Sequence, residues 1–133
     1  MSNYLRGVSM KDEKMTFGTF IRNKRIECGF SLRKMAEFMN FSPTYWSDIE
    51  NGRRNPPSIE KLRNICEMLS LNSTEQDLLF DLAGEFEQIP PPDLTEYLQD
   101  PSVRRALRTA KNHNVKPKTW EDFEDSIKKQ FPK

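Results

Sequence analysis

Apolar residues recur along the chain three and four positions apart, the period of a helix that buries one face. The first stripe is Phe17, Phe20, Ile21 and Cys28, with Lys24 at its edge. It predicts a helix over residues 16–28 that Gly29 ends. Ser31 is placed to cap a second helix with inward positions Leu32, Met35, Ala36 and Met39. Asn40 stands where a tight turn needs a left-handed residue, a conformation Asn tolerates. Ser42 offers another cap, and Pro43 falls at the first helical position, where its missing N–H costs nothing. Trp46 and Ile49 carry that helix inward, and Asn51-Gly52 stops it. Beyond the polar loop 53–57, Ser58 caps a stripe of Ile59, Leu62, Ile65, Cys66 and Leu69. Ser73 with Gln76 has the pattern of a capping box ahead of Leu78, Leu79, Leu82 and Ala83, with Gly84 as the expected end. The pattern predicts an all-α chain whose first part packs five short helices around one small core.

After the stiff run Pro90-Pro91-Pro92, which reads as a spacer, the pattern resumes in shorter segments. Asp93 begins one with Leu94, Tyr97 and Leu98. Pro101-Ser102 begins another with Val103, Ala106, Leu107 and Ala110 inward and Arg104, Arg105 and Arg108 outward. Thr119 is expected to cap a last helix with the stripe Trp120, Phe123, Ile127 and Phe131. Its acidic residues crowd the early turns and Lys128 and Lys129 the end, as the helix dipole favours. Three domains are expected: an N-terminal arm over residues 1–14, a helical domain over 15–86, and a short helical C-terminal extension over 87–133. The extension either folds back on the first domain or pairs with a second copy through Trp120, Phe123, Ile127 and Phe131.

With 133 residues, one compact domain and an appendage is the natural size. No apolar run approaches the length of a membrane span, and no N-terminal stretch reads as a signal peptide. The two cysteines, Cys28 and Cys66, are expected as reduced core residues of a cytoplasmic protein. The only histidine, His113, is remote from both in sequence, so no metal is expected. Net charge is +1, but it is unevenly spread. Residues 15–72 hold nine basic and six acidic side chains, a net of +3. Residues 73–133 hold nine basic and twelve acidic, a net of −3. A basic module ahead of an acidic one suits nucleic-acid contact by the first alone.

One set of residues, taken in order, carries a resemblance: Arg25, Gly29, the run Ser31-Leu32-Arg33-Lys34-Met35-Ala36, then Ser42, Tyr45, Ser47, the run Ile49-Glu50-Asn51-Gly52-Arg53, and Pro57-Ser58. Over roughly residues 17–84 the chain resembles the lambda-repressor-like (XRE family) helix-turn-helix transcriptional regulators. Asn40 stands where that family often has Gly. Trp46 stands where it usually has Leu, which implies a repacked core. The resemblance implies a five-helix DNA-binding domain, with Arg25 and Glu50 forming an internal ion pair that ties the first helix to the third.

A helix entering the major groove presents its first turn to base edges. By family position Pro43 and Thr44 lie closest to the bases, with Ser47 and Asp48 one turn later. Pro43 reads only by shape and apolar contact, Thr44 adds a hydroxyl, and Asp48 accepts from a cytosine amino group or repels a misplaced phosphate. Arg33, Lys34, Tyr45, Arg53 and Arg54 are the candidates for phosphate, contacts that set register and affinity without reading sequence. No histidine adjoins a nucleophile pattern and no glycine loop cradles phosphate, so no enzyme activity and no cofactor are expected. The expected function is a double-stranded DNA-binding regulator, a repressor acting as a homodimer on an inverted repeat. The alternatives are an antitoxin-type autoregulator whose C-terminal region binds a toxin, and a protein-interaction module that binds no DNA.

Overall fold

The structure is a computed structural model that describes residues 14–133. The expected N-terminal arm lies outside the described residues except for Lys14, which is exposed. Among the described residues the regular elements are all helical. In order they are α1 (Phe17–Glu27), α2 (Leu32–Met39), α3 (Pro43–Glu50), α4 (Ile59–Met68) and α5 (Ser73–Glu87), then α6 (Pro101–Asn112) and α7 (Pro117–Gln130). Two short 3-10 turns, Pro92–Leu94 and Tyr97–Gln99, lie between α5 and α6. The chain divides into two compact units that meet at Asp93 and Leu94.

Local chemistry sets most helix starts in the first unit. Thr16, Ser31, Ser42 and Ser58 each accept a bond from the backbone N–H three residues on, supplying one of the donors a helix N-terminus leaves open. Asn40 adopts the left-handed conformation (φ 60°, ψ 40°) that closes α2. Phe41 N–H then reaches back to Ala36 O at 2.9 Å, and the Phe41 ring turns down onto the core, as the αL helix end commonly arranges. That turn sets the angle between α2 and α3.

The core is contributed by all five helices: Phe17, Phe20, Ile21, Met35, Met39, Trp46, Ile49, Leu62, Ile65 and Leu79 are buried. Trp46 is fully buried and stacks on Phe41 with ring centroids 6.3 Å apart. Gly18 lies where α1 crosses the end of α3, and a Cβ there would collide with the Glu50 carbonyl. The absence of a side chain lets the two backbones meet.

Several expectations need correction. Cys28 is exposed at the end of α1, its sulfur 3.6 Å from Leu69 O; only Cys66 is buried, which pushes its thiol pKa up. Leu78 is exposed, and Phe80 takes the buried place. The capping box of α5 is Asn72 with Glu75, one residue before the expected pair. Glu75 wins because its carboxylate also holds Lys24 of α1. Gly84 does not end α5. It is buried inside the helix, where a Cβ would lie 2.7 Å from Ile89 O of the returning chain. Left-handed Gln88 provides the actual stop. The chain returning over Gly84 belongs to the first unit, which runs to Asp93.

In the second unit Asp100 caps α6 through Ser102 N–H at 2.9 Å, and Arg104 donates to Leu98 O at 2.6 Å. Left-handed Asn114 turns the chain into α7. That helix starts at Pro117, not at Thr119, because Pro serves as a first helical residue without needing a donor. None of its residues is buried.

Candidate nucleic-acid interface

The central element is α3, and its two faces have opposite characters. Trp46, Ile49 and Glu50 point into the core. Thr44, Ser47, Asp48 and Asn51, spaced i, i+3, i+4 and i+7, share the opposite face. Pro43 and Thr44 are exposed on the first turn, while Tyr45, Ser47 and Asp48 are half-buried. The Ser42 cap and Pro43 fix where this helix begins, and therefore which side chains its tip presents.

The back of α3 is held by a buried carboxylate. Glu50 accepts from Arg25 Nε at 2.7 Å and Nη2 at 3.0 Å, and from the Trp46 indole N–H. Arg25 also donates to Phe30 O at 2.9 Å, fixing the connection between α1 and α2. Arg22 adds to the link. Its guanidinium lies 3.6 Å from the Glu50 carboxylate and donates to Asn51 Oδ1 at 2.9 Å. Asn51 in turn donates to Ser47 O at 2.9 Å, closing the end of α3. So Ser47 is engaged on one side by its own helix end.

The phosphate candidates occupy three places. Arg33 and Lys34 are exposed on the first turn of α2, with Lys34 lying 5.4 Å above the Phe38 ring. Tyr45 lies edge-on to Phe41, and the Arg54 guanidinium covers it at 5.1 Å. Arg53 and Arg54 extend from the loop after α3, with side chains 67% and 56% exposed. Both approach Asp48, at 3.4 Å and 3.7 Å. The carboxylate expected to face bases thus has two cations beside it.

Residues 16–79 match a family model described as a helix-turn-helix domain. This segment is a helix-turn-helix domain. A helix-turn-helix domain supports DNA binding. Among solved structures, the clp gene regulator ClgR from Corynebacterium glutamicum is similar, at 26% identity over 88% of this chain and 92% of its own, with a TM-score of 0.43. A chain of the SinR protein/SinI protein complex is similar at 24% identity, over 89% of this chain and 100% of its own, with a TM-score of 0.44. Comparison with curated proteins returned no match.

Three supports of the helix-turn-helix domain escape a reading by motif. Arg22 lies one turn before Arg25 on α1, the helical spacing that lets both reach Glu50. Trp46 and Glu50 are four apart on α3, so the indole N–H was within reach of the carboxylate from spacing alone. Lys61 of α4 donates to Met39 O at 3.3 Å and lies 5.2 Å over Phe41, fastening the turn between α2 and α3. Nothing in the local sequence marks that long-range contact.

The four residues expected at a dimer contact lie in the other unit. Trp120, Phe123 and Ile127 of α7 join Tyr97, Leu107 and Ala110 in lining an apolar groove. Phe131, just past the helix end, is not part of that lining. All four are at least 40% exposed. Among the described residues no cluster of side chains is suited to hold a metal ion, and no helix is long and apolar enough to cross a membrane.

Proposed function

We propose that the protein is a repressor that binds an inverted-repeat operator as a homodimer, in the cytoplasm and without catalytic activity. The observation that carries the reading is the two-faced α3: its back is fixed by Arg25, Glu50 and Trp46, and its outward face carries Pro43, Thr44, Ser47 and Asp48. Placed in a major groove, Pro43 and Thr44 meet base edges first and Ser47 and Asp48 follow one turn on. Arg33, Lys34, Tyr45, Arg53 and Arg54 take phosphates and hold the register.

The dimer is formed by the second unit. Its groove is apolar, and its flanks are self-complementary in charge. Arg104, Arg105, Arg108 and Lys111 lie on α6, while Glu121, Asp122, Glu124 and Asp125 lie on α7. Across a two-fold axis, α6 of one copy against α7 of the other satisfies this pattern twice. Two recognition helices related in this way contact half-sites roughly 34 Å apart, one turn of DNA.

The test is binding to duplex fragments from the gene's own upstream region across a salt series. With about six to ten phosphates engaged, affinity falls roughly 10³- to 10⁵-fold between about 50 and 200 mM salt. A flat response, or no binding to any fragment, rejects the reading.

A further inference from the structure

Asp48 is an odd residue for this place. It lies in the last turn of α3, where the helix dipole disfavours negative charge, on the face turned toward a polyanion. The fold nevertheless surrounds it with cations by two separate devices. Arg53 N–H donates to Asp48 O at 2.8 Å and Gly52 N–H to Ile49 O at 3.2 Å, so the chain folds back sharply over the helix end. That return brings the Arg53 guanidinium to 3.4 Å from Asp48 Oδ1. Arg54 is placed independently, by lying over the Tyr45 ring, and its Nε is 3.7 Å from Asp48 Oδ2. The carboxylate is fixed on a helix and 25% exposed, whereas both arginines are more than half exposed. Arg53 Nη1 donates to Asp48 at the long end of hydrogen bonding and Arg54 lies beyond it, so the pairs are held largely by charge and are readily exchanged.

We propose that Asp48 is an internal phosphate mimic: it occupies Arg53 and Arg54 in the free protein and yields them to DNA phosphates, at the lowest cost on its operator. This rests on the DNA-binding reading above. On an operator, the arginines pass to backbone phosphates and the freed carboxylate accepts from a base amino group. On random DNA no donor meets the carboxylate, and it is left against phosphate. Asp48 is therefore a specificity determinant that acts by making the wrong complex costly.

The experiment compares the full chain with Asp48→Asn on two duplexes, one of random sequence and one operator selected from a random library. Asn keeps the shape and removes the charge. It makes the random-duplex salt slope steeper by about one for each protomer engaged, which is about a tenfold gain in affinity per protomer at 0.1 M salt. The operator gains less, so the selectivity ratio falls. The gain disappears when Arg53→Gln and Arg54→Gln are combined with Asp48→Asn, which separates release of these two arginines from a general change in charge. Unchanged random-duplex binding by a folded Asp48→Asn protein overturns the inference while leaving the DNA-binding reading intact. So does a gain that persists without the two arginines, or an equal gain on both duplexes. Failure of the unsubstituted protein to bind either duplex overturns the DNA-binding reading and this inference with it.

Discussion

Glu50→Ala offers the most direct test of how the recognition helix is held. The substitution removes an acceptor shared by Arg25 and Trp46, with Arg22 close by. Arg25, 9% exposed, keeps only Phe30 O as a partner, and the indole N–H of a fully buried Trp46 loses its acceptor. Deleting one member of a buried ion pair costs about 3–5 kcal/mol. The lower end applies here, because the more exposed Arg22 shows that solvent reaches the edge of this cluster. A loss of about 3 kcal/mol is large beside the roughly 4–12 kcal/mol expected for a domain of this size. It corresponds to a fall in Tm of about 12–24 °C. Urea and thermal unfolding followed by circular dichroism measure it. Arg25→Ala and the double variant complete a cycle, in which the double loss is smaller than the sum of the single losses. Replacing both residues by apolar ones of similar volume still costs about 1–3 kcal/mol for the stranded indole N–H. Additivity within about 0.5 kcal/mol means the two charges do not interact and refutes the argument.

Arg53→Ala weakens binding by a similar factor on every sequence, whereas Thr44→Ala alters sequence preference; competition on variant duplexes checks this, and equal loss of discrimination from both overturns the assignment. Removing residues after Asp93 leaves a folded helix-turn-helix domain that is monomeric and binds half-sites weakly; light scattering that finds the truncated form as dimeric as the intact chain removes the second unit from the interface. Lys24 donates to Glu75 and holds that carboxyl below its ordinary range, helped by the Asn72 N–H. The stability this adds is complete above the ordinary carboxylate range and is lost as pH falls through the depressed value. The same bond raises Lys24, so at the other end the contribution lasts until pH climbs through that raised value. Glu75→Gln therefore flattens the acid limb of a stability–pH curve, and an unchanged limb contradicts it.

The features legible in the sequence are those decided within a few residues. Ser31, Ser42 with Pro43, and Ser58 mark helix starts because capping is a contact over three residues. Helical periodicity finds the faces of α1 to α4 for the same reason. The misreadings share a different cause. Asn72-Glu75 and Ser73-Gln76 are equally good capping boxes locally, and Lys24 of a distant helix decides between them. Gly84 looks like a helix terminator, but its requirement comes from the chain that returns across it. Cys28 has the right period for burial yet falls at a helix end, where the stripe has run past the core. At the interface, helical position found the outward face of α3. The approach of Arg53 and Arg54 to Asp48 depends on how the chain folds back after Gly52, which periodicity does not address.

The proposed interface divides its labour between well-supported and solvent-exposed parts, and the division follows from what each contact must do. Reading a base edge requires donors and acceptors placed to within a fraction of an ångström, which favours side chains on a well-supported helix. Here α3 is tied to α1 by Glu50 and Arg25, by the bond from Arg22 to Asn51, and by the close crossing at Gly18. Phosphate contacts tolerate more variation, because charge acts over distance and the backbone repeats. Arg53 and Arg54 accordingly extend from a loop with most of their length in solvent. Loosening the ties behind α3 therefore degrades discrimination before it degrades affinity. Glu50→Ala, assayed well below its Tm, narrows the gap between operator and random DNA while the salt slope stays the same. A change in the slope instead would mean that Glu50 acts on the phosphate contacts, and the division argued here would not hold.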